Sequence, residues 1–339
     1  MTVSFPAEWA PQRAVQLTWP RPDGDFARDF DAVESTFITL AVAIAQRQDL
    51  IVACGDNTAD LRARLINAGA PAARLHLFSV PANDVWARDH GPITVVRNGN
   101  AVHLDFVFNG WGNKFEAGLD NQITQALAAQ GVWQAPVESL DFVLEGGGIE
   151  SDGLGTLLTT ERCLLAPTRN PQFSKAQIEE KLKTWFGVSR VLWLRHGDLI
   201  GDDTDGHIDT IARFCNPGTI AYQSCDDHSD AHFDDLAALQ TELRGLRQSN
   251  GQPYTLIPLP LPRAIFDDEG QRLPAGYPNF LILNGAVLVP TYGDADNDAL
   301  ALQRLRPAFP DRTVIGIDCR ALIAQYGSLH CVTMQIPQI

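Results

Sequence analysis

The stretch that decides the fold is Phe280-Leu281-Ile282-Leu283-Asn284-Gly285-Ala286-Val287-Leu288-Val289-Pro290-Thr291. Two apolar runs flank an Asn-Gly pair, which is the strongest short-range signal for a β-hairpin. Residues 95–97 and 102–106 flank a second Asn-Gly pair in the same way. The sequence therefore predicts at least two hairpins that share one type of tight turn.

Two further hairpins are predicted from residues 156–160 with 163–166 and from residues 210–214 with 219–223. The first of these ends in Leu165-Ala166-Pro167-Thr168, which is similar to the ending Leu288-Val289-Pro290-Thr291 of the opening stretch. Such similarity is a weak sign of an internally repeated unit.

Amphipathic helices are predicted between the hairpins, because apolar residues recur there at helical spacing. One helix begins with a capping box of Ser174 and Gln177 and ends at Gly187. The others start near Phe30, Leu119, Leu236 and Asp294. Hairpin and helix alternate roughly every 60 to 70 residues, which predicts an α/β fold of repeated ββαβ units closed into a ring. Residues 1–339 are expected to form a single domain.

The proline-rich segment 258–278 is the only linker-like part of the chain. It lies between convincing elements, so we expect a long surface loop. Loops of this length often act in function, for instance as lids. Whether this loop opens and closes is left undecided by the sequence.

Composition restricts the class of protein. The formal net charge of −15 argues against nucleic acid as a partner and favours a small cationic ligand, although acidity for solubility is the commoner explanation. No apolar run reaches bilayer length and residues 1–25 lack a signal-peptide pattern, so we expect no membrane association and a cytoplasmic enzyme. The six scattered cysteines suggest no disulfide framework. A homo-oligomer stays open.

Five segments combine polar side chains with tight backbone signals. They are Trp86-Ala87-Arg88-Asp89-His90-Gly91-Pro92, Phe108-Asn109-Gly110-Trp111-Gly112-Asn113, Glu145-Gly146-Gly147-Gly148, Asp202-Asp203-Thr204-Asp205-Gly206-His207-Ile208-Asp209 and Gly327-Ser328-Leu329-His330-Cys331. Each of these segments can also be explained by packing or turn formation, without any chemical role. A cysteine at a strand start is more often packed than reactive, and a glycine run can be a simple bend.

The acid-rich segment around His207 resembles a calcium loop at first sight, but its glycine and its closing residue are at the wrong positions. The chain also lacks a zinc motif and the glycine patterns that bind phosphates or dinucleotides. We therefore expect neither a metal nor a cofactor. If residues 207–209 enter the predicted strand 210–214, His207 and Asp209 point to the same face.

A thiol, a histidine and three carboxylates, without metal or cofactor, suit covalent attack on a cationic carbon. Cysteine is the best nucleophile for this reaction, which indicates Cys331. Paired carboxylates grip a planar guanidinium in a fork geometry. A general acid must protonate the departing ammonia, and His207 suits that role.

Four motifs then occur in a recognisable order. They are Trp86-Ala87-Arg88-Asp89-His90-Gly91-Pro92, Glu145-Gly146-Gly147-Gly148-Ile149, Asp205-Gly206-His207-Ile208-Asp209 and His330-Cys331-Val332-Thr333-Met334-Gln335-Ile336-Pro337. With Pro6-Ala7-Glu8-Trp9 and Leu17-Thr18-Trp19-Pro20, the ordered set resembles the agmatine deiminase and bacterial-type peptidylarginine deiminase family of the pentein superfamily. The resemblance covers nearly the whole chain.

The resemblance implies a five-bladed, pseudo-symmetric α/β propeller of ββαβ units. It also implies that Cys331 is the nucleophile of a covalent S-alkylthiouronium intermediate and that His207 is the general acid and base. Glu145 would orient the histidine or the substrate nitrogens. These roles are expectations that the site geometry must support.

The resemblance further implies that Asp89 and Asp209 grip the guanidinium and that Trp86 and Trp111 line the pocket. The expected activity is agmatine deimination, which gives N-carbamoylputrescine and ammonia. Deimination of peptidyl or protein arginine is the main alternative, and a non-catalytic binding protein is a minor one. A closed acidic pocket favours agmatine, whereas an open cleft with a carboxylate-binding arginine favours free arginine or a peptide.

The chain departs from the family pattern near the site. The family usually has a glycine-rich stretch that contains asparagine before the nucleophile, whereas this chain has Tyr326-Gly327-Ser328-Leu329-His330. His90 stands where a small hydroxyl residue is common. Residues 113–116 also differ from the usual family sequence. These departures bear on the identity of the substrate more than on the type of reaction.

Overall fold

A unit of two antiparallel strands, a helix and a returning parallel strand recurs through the molecule. The computed structural model describes residues 2–339. Its strands are β1 (Val3–Ser4), β2 (Gln12–Thr18), β3 (Asp49–Cys54), β4 (Leu75–Ser79), β5 (Ile93–Arg97), β6 (Asn100–Val107), β7 (Val137–Val143), β8 (Ile149–Ser151), β9 (Thr156–Thr160), β10 (Arg190–Leu194), β11 (Ala212–Asn216), β12 (Thr219–Gln223), β13 (Thr255–Leu259), β14 (Leu281–Leu283), β15 (Ala286–Thr291), β16 (Thr313–Asp318) and β17 (Thr333–Pro337).

Helices and single helical turns connect these strands. They are α1 (Phe30–Ala45), α2 (Thr58–Asn67), α3 (Ala87–His90), α4 (Gly110–Asn113), α5 (Ile123–Ala129), α6 (Glu161–Leu164), α7 (Lys175–Phe186), α8 (Ile208–Ile211), α9 (Phe233–Gly245) and α10 (Ala295–Leu305). The short turns α3 and α8 carry candidate site residues, whereas the long helices pack their apolar faces on the sheets. Between residues 2 and 339, no helix combines the length and apolar character that crossing a bilayer requires.

The hairpin of residues 280–291 shows the repeated unit. β14 pairs antiparallel with β15, α10 follows, and β16 returns parallel to β15. Gly285 has a φ of 73°, as the tight turn requires. The same order is found for β5-β6-α5-β7, for β8-β9-α7-β10 and for β11-β12-α9-β13.

The fifth sheet joins distant parts of the chain. β17 pairs antiparallel with β2, so that Thr333 lies opposite Leu17, and β3 and β4 extend the sheet in parallel. β1 adds to the edge of β5. The described residues therefore form a mixed α/β fold with five small sheets, and four of these sheets follow the predicted order of strands and helices along the chain.

Both Asn-Gly hairpins and the predicted long helices are confirmed. α7 begins with the capping box of Ser174 and Gln177 and ends at Gly187, which has a φ of 64°. Ile178 and Phe186 on its apolar face are buried. A capping hydrogen bond of this kind contributes about 1 kcal/mol to the stability of a helix.

The predicted strand at residues 163–166 is wrong. The side chain of Thr160 accepts a hydrogen bond from the backbone N–H of Cys163 at 3.1 Å and caps α6. β9 pairs instead with β8, which directly follows the glycine run. A side-chain cap therefore outweighed the weak strand preference of a short apolar run.

The predicted strand at residues 210–214 begins two residues later than expected, because Thr210 belongs to the helical turn α8. The hydroxyl of Thr210 donates to the carbonyl of His207 at 2.9 Å and stabilises this turn. The expectation that His207 and Asp209 share one face of a strand is therefore wrong, although the two side chains still lie near one another.

The segment 258–278 is a surface loop only in its middle part, because Pro258 and Leu259 belong to β13 and Leu259 is buried. Leu273, Ala275 and Tyr277 are buried, and Arg272 forms an ion pair with Asp230 at 2.8 Å. The prediction of a surface loop is wrong for residues 273–278, because these side chains pack into the core. This segment contributes no side chain to the wall of the cavity described below.

Candidate active site

Asp89 lies in the helical turn α3, and its side chain is almost completely buried. The indole Nε1 of Trp111 donates to its Oδ2 at 3.0 Å, and the backbone N–H of Gly147 donates to its Oδ1 at 3.2 Å. Trp111 adopts the left-handed conformation with a φ of 54°, a strain that is typical of functional sites. Burial raises the pKa of Asp89 to about 6.

The glycine run brings backbone into direct contact with the same carboxylate. Gly146–Gly148 form a tight turn between β7 and β8. A Cβ on Gly147 would stand 2.5 Å from Nδ1 of His207 and 2.9 Å from Oδ1 of Asp89. No side chain fits there, so this glycine allows the acid and the histidine to approach each other.

His207 directly precedes α8, and its imidazole is fully buried. Its Nδ1 lies 3.6 Å from Oδ1 of Asp89. Within residues 2–339, neither ring nitrogen has a hydrogen-bond partner. Burial alone would lower the pKa of His207, but the charge of Asp89 raises it well above the ordinary value. The histidine is therefore a charged acid at neutral pH.

Asp209 lies in α8, two residues after His207, and uses only one of its two oxygens. Its Oδ2 accepts a hydrogen bond from Nδ1 of His330 at 2.7 Å, whereas its buried Oδ1 has no partner in the described chain. Burial opposes ionisation, but the hydrogen bond from His330 keeps the pKa of Asp209 below the ordinary value. An ionised oxygen is thus available to a ligand that donates hydrogen bonds.

Cys331 directly precedes Val332 and β17, and its thiol is buried. Its Sγ lies 3.3 Å from Nδ2 of Asn279 and 3.9 Å from Oδ2 of Asp209. Burial and the negative charges of Asp209 and Asp89 raise the pKa of Cys331 well above the ordinary value. The thiol therefore stays protonated until a cation neutralises these carboxylates.

Glu145 stands beside His207 but is neutralised by an arginine. An oxygen of Glu145 lies within 4.8 Å of ligand atoms of His207 and Cys163. Nε of Arg169 donates to both carboxylate oxygens at 3.0 Å, and another nitrogen of Arg169 binds Asp205 at 2.7 Å. Since all hydrogen bonds of this acid come from one guanidinium, it is placed to influence the histidine rather than to bind a ligand.

A cavity leads from the surface to the thiol of Cys331. Its wall contains four carboxylates and two of the predicted aromatic residues, namely Asp25, Asp84, Asp89, Asp203, Trp86 and Trp111. No lysine, arginine or histidine occurs among the described residues of the wall. A Cβ on Gly327 would stand 2.1 Å from the ring of Trp86, so glycine at this position keeps the wall flat against the indole.

The site thus contains a group that we call the reactive cluster, which consists of Asp89, His207, Asp209 and Cys331. A second buried group lies behind it, and we call it the ion-pair cluster. It consists of Glu8, Arg88, Glu150, Arg213 and His330.

Arg213 connects the ion-pair cluster. One of its terminal nitrogens donates to Oε2 of Glu8 at 2.6 Å, and its Nε hydrogen-bonds with Glu150. Nε2 of His330 lies 2.7 Å from the same oxygen of Glu8. His330 therefore contacts Glu8 on one side and Asp209 on the other, and it joins the two clusters.

Two triads of side chains of the kind that bind metals also occur in the structure. They are Glu145, Cys163 and His207, and Glu8, Glu150 and His330. In both triads the carboxylates already pair with a guanidinium, that of Arg169 or that of Arg213. These arginines supply the positive charge that a metal ion would bring.

Sequence reasoning missed Asn279 and Arg169. The side-chain Oδ1 of Asn279 accepts from the backbone N–H of His330 at 2.8 Å, and its Nδ2 contacts the sulfur of Cys331. The only signal in the sequence was a polar residue wedged between Pro278 and an apolar strand. Arg169 follows the segment that was wrongly predicted as a strand, so its position beside Glu145 could not be inferred.

The chain is similar to known proteins over nearly its whole length. A family model described as Porphyromonas-type peptidyl-arginine deiminase matches residues 4–337. A crystal structure named "Putative Arginine Deiminase" from Porphyromonas gingivalis is 53% identical, with a TM-score of 0.93 and 99% of each chain covered. Agmatine deiminase of C. jejuni with bound substrate is 34% identical, with a TM-score of 0.92 over 99% of this chain and 97% of that chain.

A curated relative from Vibrio parahaemolyticus, named "Putative agmatine deiminase", is 36% identical over 98% of this chain and 96% of its own length. The family model and this relative each span almost the entire chain. The chain therefore belongs to the Porphyromonas-type peptidyl-arginine deiminase family.

Proposed function

We propose that the protein is an agmatine deiminase, which hydrolyses agmatine to N-carbamoylputrescine and ammonia through Cys331. The observation that carries this proposal is the cavity wall, in which four carboxylates surround the approach to a buried thiol. A dication with a guanidinium at one end and an ammonium at the other matches that charge. The similarity to C. jejuni agmatine deiminase supports the same choice.

Free arginine fits the wall less well, because its α-carboxylate would face acids without a compensating base. Lys114 lies near the cavity, but its ammonium donates to Asp205 at 2.8 Å. No described residue of the wall offers the guanidinium that would bind a carboxylate. The distal end of the substrate is therefore expected to be positive.

The reactive cluster binds the guanidinium first. The free Oδ1 of Asp209 and the carboxylate of Asp89 accept hydrogen bonds from the substrate nitrogens. The bound cation offsets the negative charges that raise the pKa of Cys331, so the thiol releases its proton to solvent and becomes a nucleophile. Substrate binding thus activates the thiol.

The thiolate of Cys331 then attacks the guanidinium carbon and forms a C–S bond. Protonated His207 donates its proton to one amino group, and the C–N bond breaks to release ammonia. The result is an S-alkylthiouronium that still carries a positive charge between Asp89 and Asp209. Because ammonia has left, there is space for water at the same position.

Water completes the reaction. Neutral His207 takes a proton from water as the oxygen attacks the thiouronium carbon, and the C–S bond then breaks to give the ureido product. The remaining hydroxyl proton passes to the thiolate of Cys331 and restores the thiol. Glu145, which Arg169 holds beside His207, favours the protonated form of the histidine through its charge. This sequence requires only the side chains named here and a water molecule.

We further infer that the five ββαβ sheets are blades of one propeller and that residues 1–339 form a single catalytic domain. The pairing of β17 with β2 supports closure, because it connects the last sheet to the first part of the chain. The six unpaired cysteines are typical of a reducing compartment, which supports a cytoplasmic location.

The test is to measure ureido product and ammonia from agmatine, free arginine and a peptide with an internal arginine, under identical conditions. Turnover of agmatine in clear preference to the other two is the expected result. Preference for the peptide would instead support protein deimination, the activity that the family description names. Failure to convert all three would contradict the proposal.

A variant makes the test of the distal charge sharper. Asp84→Asn removes one carboxylate of the wall and should raise the KM for agmatine by about 3–10-fold, the effect of a partly exposed charge pair. The KM for n-butylguanidine, which lacks the distal ammonium, should stay unchanged. Asp23→Asn, a control on an exposed side chain outside the wall, should affect neither substrate.

A further inference from the structure

We propose that Glu8 is a positioning residue for the active site, and that it acts through a positively charged His330 to fix Asp209 for guanidinium binding. The geometry that points to this role is a continuous row of three side chains. Nε2 of His330 lies 2.7 Å from Oε2 of Glu8, and Nδ1 lies 2.7 Å from Oδ2 of Asp209. The inference rests on the proposed function, because it gives Asp209 the task of binding substrate.

Both contacts of His330 require a donor on the ring. Glu8 also accepts from Arg213 at 2.6 Å and from the N–H of Ile282 at 2.6 Å, and these bonds suit an ionised carboxylate. Arg213, together with His330, keeps the pKa of Glu8 well below the ordinary value despite burial. A bare ring nitrogen at 2.7 Å from either carboxylate would be repelled, so the ring carries two protons.

The surroundings of this row contain charges of both signs. Burial and the charges of Arg213 and Arg88, which face His330, lower the pKa of its ring. Glu8 and Asp209 favour the second proton through direct hydrogen bonds, whereas the nearby Glu150 makes no hydrogen bond to the ring. The two contacts of 2.7 Å with Glu8 and Asp209 stabilise the charged ring. Ion pairs at this distance outweigh the repulsion from more distant arginines.

Asp209 shows what this charge does for the site. His330 occupies its Oδ2, and the Oδ1 is left buried and without a partner among residues 2–339. His207, Cys331 and Asp89 face the same carboxylate from the cavity side. With the ring charged, Asp209 stays ionised next to the negative Asp89. Without that charge, the two acids would share a proton and lose part of their grip on a guanidinium.

Glu8 also explains why the ring cannot turn away. The N–H of His330 is held by Oδ1 of Asn279 at 2.8 Å, so the backbone at this position is fixed. Glu8 is bonded to β14 through Ile282 and to β11 through Arg213. A side chain from the first ten residues thereby sets the position of a histidine next to the nucleophile.

The direct test is the protonation state of the His330 ring in the intact wild-type protein, followed by ¹⁵N NMR of its imidazole nitrogens between pH 6 and pH 8. Two protonated nitrogens throughout this range are expected. A neutral ring at pH 7 would overturn the proposal. This measurement needs neither turnover nor a variant, so it also decides the matter if no guanidine is hydrolysed and the proposed function fails.

The second test compares Glu8→Gln with Glu150→Gln on the guanidine substrate that the wild type converts. Both variants remove a buried acid that pairs with Arg213, but only Glu8 hydrogen-bonds to His330. In Glu8→Gln the ring should lose its second proton between pH 6 and pH 8, the KM should rise about tenfold, and the acid limb of kcat/KM should move to higher pH. Glu150→Gln should leave the ring charge and the acid limb in place.

A merely structural role would give a different pattern. Both variants would then lose stability and overall rate to a similar extent, with the acid limb unmoved, and this would contradict the proposal. Glu8→Asp keeps the negative charge and should retain the protonated ring. If Glu8→Gln does not fold, the wild-type ring spectrum still decides.

Discussion

The reactive cluster and the ion-pair cluster are both buried groups of charged side chains, but they differ in how far their hydrogen bonds are satisfied. In the ion-pair cluster, the fully buried Arg213 binds two carboxylates and a backbone carbonyl, and among the described residues of this cluster one terminal nitrogen of Arg88 lacks a partner. In the reactive cluster, both nitrogens of His207 and Oδ1 of Asp209 have no partner within the described residues. A buried polar atom without a hydrogen bond is costly. The unpartnered atoms of His207 and Asp209 therefore indicate where a ligand would supply the missing hydrogen bonds.

This difference separates two kinds of damage. Changes in the ion-pair cluster should lower stability, because they leave a buried charge uncompensated. Changes in the reactive cluster should lower activity with little loss of stability, because those side chains contribute few bonds to the empty protein. The following experiments test this division, from the largest expected effect to the smallest.

Cys331→Ser should reduce turnover of the guanidine substrate by at least about 10⁴-fold, since a hydroxyl replaces the nucleophile. The midpoint of thermal unfolding should stay close to that of the wild type, because the thiol has only weak contacts with Asn279 and Asp209. The assay is ureido-product formation, combined with calorimetric unfolding. Cys225→Ser, on a thiol outside the cavity wall, serves as the control. Retained turnover in Cys331→Ser would refute the covalent route.

Arg213→Met should lower the free energy of unfolding by about 3–5 kcal/mol, because Glu8 and Glu150 lose their shared partner in a buried setting. Urea unfolding measures this loss. Arg64→Met breaks a partly exposed pair with Glu34 and should cost less than about 1 kcal/mol. Equal losses in the two variants would mean that the ion-pair cluster has no special role in stability.

Gly147→Ala should reduce kcat/KM by about 10²-fold, the usual effect of a displacement near 1 Å in a site. The added methyl would collide with His207 and Asp89. Gly245→Ala is the matched control, since no atom lies within 4 Å of a Cβ built there. Comparing steady-state rates of the two variants decides whether the glycine run positions the reactive cluster or only bends the chain.

The pH dependence of kcat/KM gives the smallest effect. Asp89 must be ionised to bind a guanidinium, and its pKa is raised to about 6 by burial. Activity should therefore fall as the pH drops below about 6, by about tenfold per pH unit. The acid limb of kcat should lie at lower pH, because a bound cation favours the carboxylate. A constant kcat/KM down to pH 5 would contradict this assignment.

Local signals in the sequence were sufficient for much of the fold. The Asn-Gly turns and the capping box of α7 each depend on a few adjacent residues, and both were predicted correctly. Residues 163–166 were misassigned because a cap from Thr160 competes with strand formation over a run too short to show its periodicity. The buried half of the 258–278 segment was missed for a related reason, since tertiary contacts of Tyr277 determine its burial.

The site was predictable where the residues that matter lie in one segment. Asp89 and His207 each stand in a short polar motif, and both carboxylates of the predicted guanidinium grip face Cys331. The partners of these residues were not predictable. Asn279 contacts Cys331 from 52 positions away, and Glu8 reaches His330 across 322 positions. Neither contact leaves a trace in local spacing.

The pairing of β17 with β2 has a consequence for how this enzyme is made. During synthesis on the ribosome, β2 emerges more than 300 residues before β17, the strand that follows Cys331. Four of the five sheets do not contain β17. Their strands can therefore pair before β17 is synthesised. The final pairing then closes a loop of more than 300 residues at a modest entropic cost, which grows only with the logarithm of loop length. Before β17 pairs with β2, Cys331 is not fixed beside the other residues of the reactive cluster. Catalytic activity is therefore expected to appear in this one late step.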